Sequence, residues 1–267
     1  MRRNQLVWGF VLLLAGVLMF ANAMGLRLPN GTSLMDLFWP IALLSAGAWV
    51  LAGVFFRRNG NIETQNASID LQGASSVDLK MSHGAGELKI HSGASANEFA
   101  HGSFSGGLDH KATRNGDRLE VRMRPAKEMM DFPFFGPQSR LDWDVALNAN
   151  IPIELKLNLG ANKSEIDLRD MTITGLDMDT GASETKLTLP SQGRFKADLD
   201  LGAASLEVIV PEGLSARIRA SIGAADLKID ESRFPRTGGY YQSPDFDSAV
   251  NSVDMTIDAG AASIRVR

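Results

Sequence analysis

The sequence contains no cysteine. That one absence removes disulfides, thiolate metal sites and cysteine nucleophiles together, while leaving the redox compartment open. Aromatic residues are scarce, with only two tyrosines, and no Lys/Arg stripe with interleaved aromatics exists anywhere in the chain. Positive charge is short as well. The net charge is −4, unevenly spread: up to Arg58 five arginines face the single acid Asp36, for +4, and everything after it carries −8. An acidic domain repels phosphate backbones, which excludes nucleic acid as a partner. Long hydrophobic runs are missing after residue 58, and before it there are two.

The first run, Leu6 to Leu26, and the second, Leu37 to Phe56, hold no charged residue. At ~1.5 Å per residue each spans the ~30 Å hydrocarbon core of a bilayer, and in lipid the backbone satisfies itself only as helix or closed barrel. Residues 1–58 are therefore expected to form a transmembrane helical hairpin, with helices at about 6–26 and 37–56. The link around Pro29-Asn30-Gly31 is turn chemistry. Arg2-Arg3 precedes the first helix and Arg57-Arg58 follows the second. The positive-inside rule then gives a two-pass protein of the cytoplasmic membrane, with both termini and the following domain cytoplasmic. A rival reading cleaves residues 1–23 as a signal peptide after Ala21-Asn22-Ala23, which leaves Arg57-Arg58 inside all the same.

The remainder repeats. Gly-Ala pairs begin at Gly160, Gly181, Gly202 and Gly223, in steps of 21 residues, and again at Gly260, which is one period plus a 16-residue insertion later. An earlier unit at Gly84-Ala85 fits the same template. Around each pair apolar and polar residues alternate, as in Leu155-Lys156-Leu157-Asn158-Leu159 and Phe195-Lys196-Ala197-Asp198-Leu199. Period-two alternation marks strands with one buried face. A unit of this size buries about five side chains at ~1.5–3 kcal/mol each, which does not cover the entropy of ordering it, so the units must stack. The expected fold is an all-β, single-stacked β-solenoid with a 21-residue period over 151–267, preceded by a less regular β region over 59–150. Gly84, Gly160, Gly181, Gly202, Gly223 and Gly260 are its expected corners, where glycine relieves backbone strain. Gly238, in the long insertion, is expected to tolerate a side chain. The closing strand Ser263-Ile264-Arg265-Val266-Arg267, with alternate charges, is expected to blunt the end of the stack and keep the domain from polymerising. A β-sandwich with coincidental spacing is the alternative.

Little here reads as catalytic. His83, His91, His101 and His110 stand 8, 10 and 9 residues apart, not at zinc-ligand spacings. Gly84-Ala85-Gly86-Glu87 lacks the Lys-Ser/Thr of a phosphate loop. No catalytic, cofactor-binding or metal residue is assigned, no cofactor or small-molecule substrate is expected, and the chain is read as not an enzyme. Two candidate partner contacts remain. One is the apolar loop carrying Phe132, Phe134 and Phe135; the other is the excursion Glu231–Ser252 with Tyr240 and Tyr241, aromatics that equally suit folding back on the stack.

Two stretches resemble known families. Trp8-Gly9-Phe10 through Leu37-Phe38-Trp39-Pro40-Ile41 to Arg57-Arg58 resembles the LiaF-type transmembrane region. Pro152 to Arg267, with Ile151-Pro152-Ile153-Glu154-Leu155, its Leu-Gly-Ala and Ile-Gly-Ala corners and Tyr241-Gln242-Ser243-Pro244, resembles the toastrack β-solenoid, related to adhesin-like repeats. The resemblance implies a bacterial membrane regulator that restrains a histidine kinase in cell-envelope stress signalling. A membrane-anchored, non-enzymatic binding protein is therefore expected, with the lipid bilayer and a membrane histidine kinase or other envelope protein as partners. The alternatives are a self-associating scaffold and an adhesin-like surface protein.

Overall fold

The computed structural model describes residues 64–126, 141–224 and 226–267, and every regular element among them is a β-strand. The helices expected at 6–26 and 37–56 lie outside the described residues. In chain order β1 (Thr64–Asp70) leads to a long β2 (Ser76–Ser92), then to β3 (Glu98–Ser105), β4 (Leu108–Asn115), β5 (Arg118–Pro125) and β6 (Trp143–Leu147). A second long strand, β7 (Pro152–Asp167), precedes β8 (Thr172–Thr180), β9 (Glu184–Thr188), β10 (Arg194–Leu201) and β11 (Ser205–Ile209). There follow β12 (Ser215–Ile222), β13 (Asp226–Ile229), the short β14 (Arg236–Thr237) and β15 (Tyr240–Gln242), and finally β16 (Ser252–Ala259) and β17 (Ser263–Val266).

The repeating unit is a bent rung: two strand arms meeting at a Gly-Ala corner. In β2 and β7 both arms belong to one continuous strand. The other rungs are β8–β9, β10–β11, β12–β13 and β16–β17. Rungs pair in parallel, arm upon arm: Leu155 lies beside Leu176, Leu176 beside Ala197, Ala197 beside Met255 and Met255 beside Ile218. Consecutive rungs from β7 to β10 are thus in register at the 21-residue period. Alternation does the rest. Leu155, Leu176, Leu199, Met255 and their neighbours turn inward and are buried, while the intervening Lys156, Asp177, Asp198 and Asp200 face solvent. One hydrophobic cluster runs through the whole stack.

The order of rungs differs from the order of repeats. The spacing leads one to expect the Gly260 unit outermost, beyond Gly223. Instead β16–β17 is inserted between β10–β11 and β12–β13: β10 and β12 both pair with β16, and β11 and β13 both pair with β17. The closing strand is therefore interior and is not the blunted end. Burial gives the reason. Val253, Met255, Ile257, Ile264 and Val266 are at most 1 % exposed, whereas the outermost rung brings smaller or less covered residues, Ala216, Ala220 and Ile222 among them. The more apolar rung takes the position covered on both sides. The same happens at the other end, where β5 and β6 lie under the two arms of β2, at Val121 beside Leu79 and Val145 beside Ile90. The β2–β7 ladder pairs Val77 to His83 with Ile153 to Leu159 and, past the corner, Ala85 to Ile90 with Ala161 to Ile166.

The corners also have a different cause from the expected one. None of Gly84, Gly160, Gly181, Gly202, Gly223 and Gly260 has a positive φ. From Gly160 to Gly260 a neighbouring rung's carbonyl oxygen lies 2.5 to 3.2 Å from where a Cβ would be, too close for a side chain, whereas at Gly84 the nearest atom is the Leu141 Cδ1 at 3.7 Å. A Cβ on Gly160 would sit 2.5 Å from the carbonyl oxygen of Gly84, and one on Gly202 2.9 Å from that of Gly181. Gly238, by contrast, has open space around it but a φ of +62°, so it is the backbone there, not the packing, that resists a side chain.

Candidate interaction surface

Stacking in register turns single exposed residues into rows. Asn158, Asp179, Asp200, Asp258 and Ser221 form one row across β7, β8, β10, β16 and β12, beside the line of corner glycines. Together they line an open groove of about 810 Å³. Desolvation pushes the Asp200 carboxyl above its ordinary pKa, and repulsion from Asp179 and Asp258 adds to it. The next row is mixed in charge: Lys156 donates to Asp177 at 3.2 Å, and Arg219 reaches Asp254 at 2.8 Å. Among the described residues no group of three His, Cys, Asp or Glu side chains is disposed to hold a metal ion.

The four histidines are scattered through the first half of the stack. His91, on the second arm of β2, contacts Asp144 at 2.8 Å, and its pKa is raised by its hydrogen bond to the Ser92 carbonyl, with Asp144 assisting. His101 lies 3.4 Å from Glu98, and His110 is on the outer strand β4. His83 alone is buried. Its Nε2 donates to the Leu141 carbonyl at 2.6 Å, and a carbonyl can only accept, so Nε2 carries the proton and Nδ1 accepts from the Asn162 amide at 3.1 Å. Asn162 donates in turn to Ser164, and the Trp143 ring stands edge-on to His83 at 5.3 Å. Burial lowers the His83 pKa, in keeping with a neutral ring. This side chain pins Leu141, just before β6. The histidine pattern held no sign of it, because the partner carbonyl lies 58 residues away.

Phe132, Phe134 and Phe135 lie outside the described residues. Tyr240 and Tyr241 sit in β15, which pairs antiparallel with β12 at Ile218. Tyr241 packs against the core. The Arg217 guanidinium lies 4.2 Å from the Phe246 ring and 5.6 Å from the Tyr240 ring while bonding Gln242 and Asp247. Phe234, fully buried, fills the space beneath, and Arg233 bonds the Val210 and Pro211 carbonyls. The excursion is thus folded onto the first arm of the outermost rung as a cap.

A two-armed parallel stack with a glycine corner is a recognisable combination. Residues 58–209, more than half of the sequence, match the family described as the N-terminal domain of toast_rack, DUF2154. The chain belongs to that family. The toast-rack match takes in the rungs from β2 to β11, and the later strands continue the same stack. Among solved structures, a candidate cell adhesion protein from Clostridium sporogenes superposes with a TM-score of 0.68 at 21 % identity, over 76 % of this chain and 98 % of that one. The two share a fold. A candidate adhesin from Bacteroides fragilis matches at 7 % identity over 77 % and 97 % of the respective chains, with a TM-score of 0.30. Comparison with curated proteins gave no match.

Proposed function

We propose that this toast-rack chain is a membrane-anchored, non-catalytic binding protein that modulates a cell-envelope stress-sensing system through contacts of a cytoplasmic β-solenoid. The observation that carries this reading is the regular array of exposed rows, spaced by the ~4.8 Å strand separation. Asn158 to Ser221 and Lys156 to Arg219 lie on hydrogen-bonded strands over a continuous hydrophobic core, and the groove beside them is open. Such a surface suits another protein better than a small substrate, which needs an enclosed pocket. The two charge-free runs before residue 58 and the LiaF-type resemblance support the membrane and signalling parts of the reading. The description of the Clostridium sporogenes protein favours a second reading, an adhesin-like or scaffold role.

Orientation separates the two, and the cysteine-free background makes labelling clean. Ser68 is exposed on β1. In intact cells Ser68→Cys should resist a membrane-impermeant maleimide while Ser33→Cys, in the link, reacts, and crosslinking of the full-length chain should recover a membrane histidine kinase. Labelling of Ser68→Cys but not Ser33→Cys would overturn the regulator and favour the adhesin. Correct labelling with no kinase recovered would overturn the signalling role alone.

A further inference from the structure

The stack has two sheets, one for each arm, and hence four sheet ends. An antiparallel strand turns three of them: β4 lies on β5, β3 with β1 lies on β6, and β15 with β14 lies on β12. The fourth end is β13, which pairs with β17 on one side and with no strand on the other among the described residues. Its inward side chains show the consequence. Leu206 and Ile264, and likewise Val208 and Val266, are at most 1 % exposed in the two rungs below, while Leu227 and Ile229, at the same positions, are only half-buried. Ile222, in register with Leu201 across β16, is 39 % exposed. The core comes to the surface at this end.

The chemistry of the edge says what fits it. Asp226 and Asp230 donate their N–H groups to the Ala262 and Val266 carbonyls of the neighbouring rung, so by alternation the N–H and C=O of Leu227 point outward. On either side of Leu227 stand Asp226 and Lys228, both exposed and 3.1 Å from each other. Two such strands related by a two-fold axis at Leu227 would bond through Leu227 and set Asp226 of each opposite Lys228 of the other, making two ion pairs from one sequence. A parallel pairing in register would oppose like charges, which is destabilising.

The geometry points to a second copy of this chain as the occupant: the protein forms a two-fold dimer by antiparallel pairing of β13 with β13, each copy supplying in trans the cap that β4, β3 and β15 supply in cis. A two-fold contact closes on itself, so dimers form and filaments do not. This stands independently of the membrane and kinase assignments.

The test uses the purified full-length chain carrying one introduced thiol. Leu227→Cys treated with a short bis-maleimide should give crosslinked dimer, and Arg265→Cys, exposed on the interior strand β17, should not. In the Leu227→Cys background, Lys228→Asp should lower the dimer about tenfold, equivalent to ~1.4 kcal/mol, and adding Asp226→Lys should restore it. Equal crosslinking of Leu227→Cys and Arg265→Cys would overturn the proposal, as would equal yields from the single and double charge variants. A Leu227→Cys thiol that reacts only in urea even at protein concentrations too low for association would mean that the chain's own residues cover this edge, and would overturn it too.

Discussion

At the scale of single residues, the corner glycines carry the sharpest consequence. From Gly160 onward their role is steric and lies between rungs, so their sensitivity should track the distance to the next backbone rather than any turn conformation. Gly160→Val places a branched side chain where even a Cβ would be 2.5 Å from a carbonyl oxygen, and two stacked backbones cannot both yield. Urea unfolding should show a loss of about 2–4 kcal/mol. Gly175→Ala is the proper comparison. It lies in the same sheet, its Cβ would meet only the Glu154 side chain at 3.6 Å, and the change should stay within about 0.5 kcal/mol of the parent. Similar losses from the two substitutions would refute the steric account. Gly238 no longer serves as a silent position, because a β-branched residue at a φ of +62° is strained whatever the space around it.

At the scale of elements, the placement of β16–β17 decides what is core and what is edge. A strand that closes a sequence is usually read as peripheral, and the alternating Arg265 and Arg267 invite that reading. Here β17 is hydrogen-bonded on both sides, and Arg267 reaches Glu207 of β11 at 2.8 Å. Ile264 should therefore behave as a central core residue: Ile264→Ala is expected to cost about 2–4 kcal/mol. Leu227→Ala, one rung outward and half-buried, should cost under about 1.5 kcal/mol when measured at protein concentrations too low for association. Reversal of that order in denaturant unfolding would place β17 at the edge after all. The excursion from β13 to β16 follows the same logic. Its cap through Phe234, Tyr241 and Arg217 occupies the edge that stepping over a rung leaves behind.

At the scale of the whole molecule, stability should depend on pH through His83. Its folded pKa lies below the ordinary 6.5, first because burial penalises the charged ring. The unfolded chain takes up the proton at a pH where the folded one does not. The contribution of His83 is thus fully present above about pH 6.5 and drains away as the pH falls through the window below it. His91 has the opposite sign. Its raised pKa adds stability that is complete at low pH and is lost as pH rises through the folded value, but its side chain is 46 % exposed and solvent screens the effect. The buried group should win. Urea midpoints should fall between about pH 7 and about pH 5, and His83→Gln should flatten that fall. An unchanged slope in the variant would remove His83 as the cause.

The all-β class, the alternation of inward and outward residues along the repeats and the 21-residue spacing of the Gly-Ala pairs were legible in the linear sequence. Each depends on local alternation and on a Gly-Ala pair that no helix or long turn would use. The order in which rungs stack was not legible, and the reason is physical. Every rung presents nearly the same alternating apolar face, as Ala197, Met255 and Ile218 do in register, so any rung can lie on any other and the pattern carries no record of which neighbours it has. Only burial in three dimensions chose to insert β16–β17 beneath β12–β13 and β2 between β5–β6 and β7. The same choice settled why glycine suits the corners from Gly160 onward, why burial keeps His83 neutral, and which parallel rung arm, β13, was left without an antiparallel strand on it among the described residues. These depend on distances between segments that the sequence lists far apart, and only the folded stack brings them together.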